Sequence, residues 1–217
     1  KDSQLTGVEL DSISGRIARK LYPNADIKIT GYENTKFADN SFDVAVGNVP
    51  FGDFKVNDSR YNAQKFLIHD FFFAKALDKV RAGGVVMFIT SKGTMDKASP
   101  EVRKYIAQRA ELLGAIRLPD NTFKANAGTE VTSDIIILQK RDQIIETEPE
   151  WVHLDTDENG ITMNRYFVSH PEMILGEMKM ESTRFGMDSA CKAYEDISLS
   201  ELLSEAVQQI DGEIPEY

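Results

Sequence analysis

Four consecutive residues, Asn48-Val49-Pro50-Phe51, bring together a side-chain amide, a main-chain carbonyl, a rigid ring and an aromatic face. An exocyclic amino group on an aromatic base is a poor nucleophile, because its lone pair is delocalised into the ring. The Asn48 side-chain oxygen and the Val49 carbonyl can each accept one of the two N–H bonds of such a group. Held that way, the nitrogen is oriented and its pyramidal, more nucleophilic form is favoured, which is help aimed at a transition state. Phe51 can stack on the face of a base taken out of its helix. Pro50 stiffens the turn. No general base is evident, and none is needed where the proton leaves to water after transfer. An ordinary strand-end turn is the bland alternative for the same four residues.

The elements around this turn follow from periodicity. Residues 42–47 are apolar and β-branched and predict a buried strand. Open α/β sheets place ligands at the carboxyl ends of their strands, and Asn48 to Phe51 stand at such an end. Upstream, residues 6–11 predict a strand and 26–30 another. Between them runs a helix capped by Ser12 or Ser14, with Ile13, Ile17, Ala18 and Leu21 at helical spacing. Downstream comes a long polar loop, 53–64, carrying Lys55 and Arg60. A helix follows over 65–81 and ends at Gly83-Gly84, and residues 85–90 predict a strand of the buried parallel kind. Phe71-Phe72-Phe73 lies inside that helix and reads as core. Ser99-Pro100-Glu101 opens a helix to about residue 110. Strands are predicted over 112–118 and 134–139. Strand and helix in alternation give an α/β fold with a mostly parallel sheet and helices on both faces.

The 217 residues are 41% hydrophobic and 28% charged, as in a soluble globular protein. No apolar run approaches the roughly 20 residues of a membrane span, so no membrane partner is expected. The lone Cys191 excludes an internal disulfide and fits a reducing cytoplasm. With only three histidines, no metal site is expected. The net charge of −10 is uneven: residues 1–141 carry a balance of +4 and residues 142–217 one of −14. The first part can still present a basic face to phosphates, through Lys55, Arg60, Lys92 and Lys97. The second part, 142–217, is expected as an acidic appendage. It holds a hairpin signal at Asp157-Glu158-Asn159-Gly160, an anchoring Trp151 and a capping box at Ser198 and Glu201. Leu199, Leu202, Leu203, Ala206, Val207 and Ile210 form an amphipathic stripe that needs an apolar groove, on the core or on a neighbour.

Asn48-Val49-Pro50-Phe51 resembles the Asn-Pro-Pro-Phe/Tyr signature of S-adenosylmethionine-dependent amino methyltransferases, particularly the DNA adenine-N6 enzymes. Val49 departs from the pattern, but that position acts through its carbonyl. Gly7-Val8-Glu9-Leu10-Asp11 looks like the family's second cofactor motif. The resemblance implies that Glu9, with Asp11 beside it, binds the ribose of the cofactor, and that Glu33 lies where its adenine is read. Strand-end, helix-cap and solvated-loop roles are the alternatives for these three acids. Arg117-Leu118-Pro119, Phe123 and the stretch 127–138 resemble the closing strands of restriction-modification methylases. Together with Ile89-Thr90-Ser91-Lys92-Gly93-Thr94, the turn looks like the methylase portion of large helicase–methylase proteins of bacterial mobile elements. The resemblance covers about residues 5–141 and implies a Rossmann-like class I methyltransferase sheet. The family's first cofactor motif, a Gly-rich turn after a strand at the centre of the sheet, has no counterpart here. The expectation is therefore a partial catalytic domain, 1–141, lacking its first strand and Gly-rich motif. It would belong to a larger bacterial cytoplasmic protein and bind S-adenosylmethionine poorly alone. The gap would close on itself, on a rearranged strand or on another chain, including an oligomer partner. DNA is the implied substrate. RNA or protein-amide methylation, and a non-catalytic DNA- or protein-binding module, remain open.

Overall fold

The structure, a computed structural model, describes residues 3–184 and 186–216. The chain begins with β1 (Thr6–Glu9), α1 (Ser12–Leu21) and β2 (Asp26–Ile29). Asp11, rather than a serine, caps α1: its carboxylate accepts the Ser14 N–H at 2.7 Å. β1 and β2 run parallel, Thr6 opposite Asp26 through Glu9 opposite Ile29. Then come β3 (Phe42–Asn48), α2 (Ile68–Lys79), β4 (Val80–Ser91), the short α3 (Gly93–Asp96), α4 (Glu101–Arg109) and β5 (Ala110–Leu118). A four-residue helix, α5 (Lys124–Ala127), precedes β6 (Ser133–Lys140). Ser99 makes no cap bond; Pro100 occupies the cap position of α4.

The main sheet has the order β3-β4-β6-β5. The expectation of a mostly parallel sheet is corrected here: β3 and β4 are parallel, but β6 runs antiparallel to both β4 and β5. A parallel neighbour needs a crossover of a dozen or more residues, usually a helix. Between β5 and β6 only the four residues of α5 are helical, so the chain returns antiparallel. A second correction concerns Gly83-Gly84. They do not end α2, which stops at Lys79; they form a bulge in β4. Phe42 pairs with Val80 and Val44 with Val85, so the ladder skips four residues of β4. Gly83 has φ +72°, and a Cβ on Gly84 would lie 2.7 Å from the Asp43 carbonyl, so both positions require glycine.

Among the described residues, no ladder joins the β1–β2 pair to β3. The outer edge of β3 is open, with Val46 63% exposed. The α1 stripe of Ile13, Ile17 and Leu21 faces solvent as well. The core lies instead between α2, α4 and the main sheet, around Phe73, Leu77, Val86, Ile106, Ile116, Ile136 and Leu138.

The segment after residue 141 shares that core. β7 (Leu154–Thr156) and β8 (Thr162–Asn164) form the predicted hairpin, with Gly160 at φ +78°. Beyond it the chain turns helical as α6 (Arg165–Ser169), capped by Asn164. Ile161, Met163, Phe167, Met173 and Leu175 are buried in the main cluster. A second hairpin, β9 (Glu177–Thr183) with β10 (Gly186–Lys192), follows. α7 (Leu199–Gln208) closes the series with its capping box intact. Its stripe lies on the core through Leu199, Leu202, Leu203 and Ala206, leaving Val207 exposed. No helix among the described residues is long and apolar enough to cross a membrane.

Candidate active site

β3 carries Asn48 as its last residue, opposite Ile89 of β4. The Val49 N–H donates to the Ile89 carbonyl at 3.0 Å, which pins the start of the turn to the sheet. The Val49 side chain is buried in the core, Pro50 is exposed, and Phe51 is half-buried against the same core. Asn48 is exposed, and its amide makes no hydrogen bond among the described residues. An amide left in water beside a free carbonyl and a ring edge is available to an incoming base. The turn is rigid where the core holds Val49 and open where Asn48 and Pro50 stand.

The polar loop after the turn is stapled down rather than loose. Arg60 donates to both oxygens of Asp39, at 2.9 and 2.8 Å, and lies 2.9 Å from Asp78. The Tyr61 hydroxyl donates to Asp78, and Lys75 donates to Asp58 and to the carbonyls of Glu33 and Thr35. Hydrogen bonds from Lys79 and Arg60 hold the Asp39 carboxyl below the usual carboxylate range. The loop rejoins α2 through the Ile68 N–H, which donates to the Phe54 carbonyl at 2.9 Å. Behind that junction His69 is buried. Its Nε2 is 3.5 Å from Asp70, its Nδ1 has no partner, and burial pushes its pKa down. Of the expected phosphate contacts, Lys55 is exposed, whereas Arg60 is committed to Asp39 and Asp78. Lys92 donates to Asp188 and Ser189, and Lys97 lies 3.4 Å from Asp70.

The expected cofactor acids lie apart from this turn, on the β1–β2 unit. Glu9 ends β1 and accepts the Asp11 N–H at 2.8 Å. Asp11 is held below the usual carboxylate range by the Ser14 bond that makes it a helix cap. Glu33 folds over Gly31 and accepts from the Asn34 side chain at 2.9 Å. These carboxylates suit sugar hydroxyls, since they accept where hydroxyls donate. The close backbone approach that a Gly-rich turn provides has no counterpart among the described residues between β1 and β3. No cluster of three or more metal-ligating side chains occurs among the described residues.

Sequence reading missed the polar lattice that fixes this end of the sheet. Arg117, fully buried, donates to both oxygens of Asp134 at 2.8 and 2.9 Å and lies 2.9 Å from Asp96. Asp134 and Asp96 hold its pKa above the ordinary arginine value, against the burial that disfavours its charge. Its guanidinium also stacks over Phe167 of α6, 4.2 Å from the ring centroid. Asn164 donates to the carbonyls of Met95 and Trp151 and accepts the Tyr166 N–H. Partners dozens of residues apart leave no local signal in a sequence.

Comparison with known proteins adds the following. A family model described as Eco57I restriction-modification methylase matches residues 3–123. The "Defense against restriction protein B" of Escherichia phage P1 is 32% identical over 170 residues. That match covers 76% of the chain and 8% of the phage protein, so the chain spans a small part of that relative. Among solved structures, a chain from Vibrio vulnificus described as a type I restriction enzyme modification subunit superposes with a TM-score of 0.57. It is 13% identical, over 78% of this chain and 49% of that one. A Listeria monocytogenes protein described as a class I S-adenosylmethionine-dependent methyltransferase gives 0.53 at 21% identity, covering 68% and 47%. A chain of a type I restriction–modification system gives 0.51 at 19% identity, covering 62% and 30%. At these identities the likeness is one of fold.

Proposed function

Because the chain belongs to the Eco57I restriction-modification methylase family and has a class I methyltransferase-like fold, we propose that it carries the base-handling part of a DNA adenine-N6 methyltransferase. The observation that carries this reading is the exposed, unbonded Asn48 amide beside the Val49 carbonyl at a strand end, with Phe51 adjacent. S-adenosylmethionine, which the family implies, supplies the methyl group when bound. Asn48 Oδ1 and the Val49 carbonyl accept the two N6 hydrogens of an extruded adenine, and Phe51 lies against its face. The core behind Val49 keeps these acceptors from moving as the nitrogen pyramidalises. One N6 proton then leaves to water. Glu9 and Glu33 would hold the cofactor's hydroxyls and adenine, with Asp11 holding the end of α1. Lys55 faces phosphate, while Arg60 and Lys92 hold their elements in place.

The test is Asn48→Ala in the full-length protein. Transfer to unmethylated duplex DNA should fall about 100-fold or more, the scale of losing one preorganised transition-state partner. Thermal unfolding should not move, since Asn48 is exposed. Undiminished transfer defeats the reading. RNA and protein acceptors run in parallel decide the substrate class. One observation favours a second, non-catalytic reading for this chain in isolation: β1–β2, which bears the cofactor acids, has no ladder to β3. Calorimetry of the isolated chain should show no S-adenosylmethionine binding at micromolar concentration, and a micromolar Kd removes that alternative.

A further inference from the structure

We propose that Lys75 is a positioning residue, which holds the segment expected to read the cofactor in place relative to the turn expected to handle the base; both expectations rest on the methyltransferase reading. β1 and β2 lead into that segment and make no ladder with β3 among the described residues. The sheet therefore does not set the spacing between Glu33 and Asn48. Lys75 of α2 stands where the two stretches meet. Its ammonium group donates to the Glu33 carbonyl at 3.1 Å, to the Thr35 carbonyl at 3.3 Å and to Asp58 Oδ2 at 2.9 Å. An ammonium has three donors. Here two go to the segment upstream of β3 and one to the loop downstream of it.

Phe71 and Lys75 are one helical turn apart and share a face of α2. The Phe71 ring meets Tyr32 of the upstream segment and Tyr61 of the loop, at 6.0 and 5.4 Å between centroids. The Lys75 nitrogen lies 5.2 Å from the Tyr32 centroid and 5.6 Å from that of Phe71. Lys75 is 3% exposed, so Asp58, the two carbonyls and the ring faces replace the water its charge has lost. Asp58 passes the constraint on. Its carbonyl accepts the Tyr61 and Asn62 N–H bonds at 2.9 and 3.0 Å, and its Oδ1 accepts the Arg60 N–H at 3.2 Å. The loop so folded runs back to Phe54, whose carbonyl takes the Ile68 N–H at 2.9 Å, three residues past Phe51. A second tie, Asp39 with Arg60 and Lys79, lies at the end of the segment next to β3 and leaves the place of Glu33 to Lys75.

The experiment uses the full-length protein. Lys75→Met keeps the stem and removes the three donors, and Lys75→Arg restores donors. Asp58→Asn keeps an acceptor oxygen and is the milder variant, which decides if Lys75→Met fails to fold. Without cofactor, amide hydrogen exchange at Asn34, Thr35, Tyr61 and Asn62 should quicken about tenfold in Lys75→Met, while the amides of β4 hold. The calorimetric Kd and the KM for S-adenosylmethionine should each rise about tenfold, with the KM for an unmethylated duplex within about twofold. Lys75→Arg should recover most of that loss, and Asp58→Asn should move the same quantities about threefold. A merely structural loss lowers kcat with the fraction of active enzyme and leaves both KM values alone. That result overturns the proposal, as does exchange that quickens on one side of Lys75 only. If Asn48→Ala retains full transfer while Lys75→Met still weakens cofactor binding, the base-handling reading falls and the hold of Lys75 on the cofactor segment stands.

Discussion

Two regions of this molecule are built from similar residues and end in opposite states. In the β3-β4-β6-β5 body, Val86, Ile116, Ile136 and Leu138 are at most 2% exposed, and the 152–175 segment is bolted over them. In the β1–α1–β2 unit, Leu10, Ile13, Ile17 and Leu21 are each more than half exposed. Both regions have the right periodicity and their own hydrogen bonds. Only the body has a second layer on which to close. Amphipathic pattern thus makes an element, but burial needs a partner surface, and the hydrophobic gain scales with the area that partner removes from water. The consequence is functional. The acceptors proposed for the base sit on the consolidated body, and the acids expected to face the cofactor sit on the unit that lacks a cover.

The largest expected effect sharpens the consolidated side. Arg117→Met leaves Asp134 and Asp96 without their shared cation, and should cost about 3–5 kcal/mol in urea unfolding. A cost under about 1 kcal/mol would show the lattice to be ornamental. Next, Asn164→Ala removes the cap of α6 and the bonds to Met95 and Trp151, at about 1–3 kcal/mol. Proteolysis after residue 141 should then quicken, because those bonds join the later segment to the body. A smaller effect is pH-dependent. Burial lowers the His69 pKa from its ordinary 6.5, so below that value the unfolded chain binds a proton that the folded chain does not. Stability is complete above the ordinary value and falls as pH drops toward the lowered one. His69→Gln should flatten that acid-side decline between about pH 7 and 5, read from urea midpoints. The smallest effect tests the open side. Ile17→Ser on α1 should change the stability of this chain by no more than about 0.5 kcal/mol, whereas Leu138→Ala in the body should cost about 2–5. If Ile17→Ser proves as costly as Leu138→Ala, the face of α1 is covered in solution and the contrast fails.

The place of the candidate turn was legible before any coordinates. Asn48 to Phe51 are contiguous, and a strand followed by a Pro-containing turn is a local pattern, so their position at a strand end could be read. Trp151 was likewise read correctly as an anchor, since a large ring next to an acidic linker has few other places to go. The direction of β6 was not legible, because strand sense depends on what crosses over and not on the strand's own residues. Nor was the α2–β4 junction, where Gly83-Gly84 look like a helix stop and serve as a bulge. Arg60 and Lys92 read as open cations because their carboxylates, Asp39 and Asp188, are 21 and 96 residues away.

The sequence by itself determined the local units: which stretches alternate, where helices begin, and which amide and ring follow one another at a strand end. These depend on forces acting over a few residues. Tertiary structure alone decided which charges cancel and which apolar stripes are covered. Those outcomes depend on surfaces meeting across the chain, and a carboxylate or a leucine carries no mark of the partner it will find.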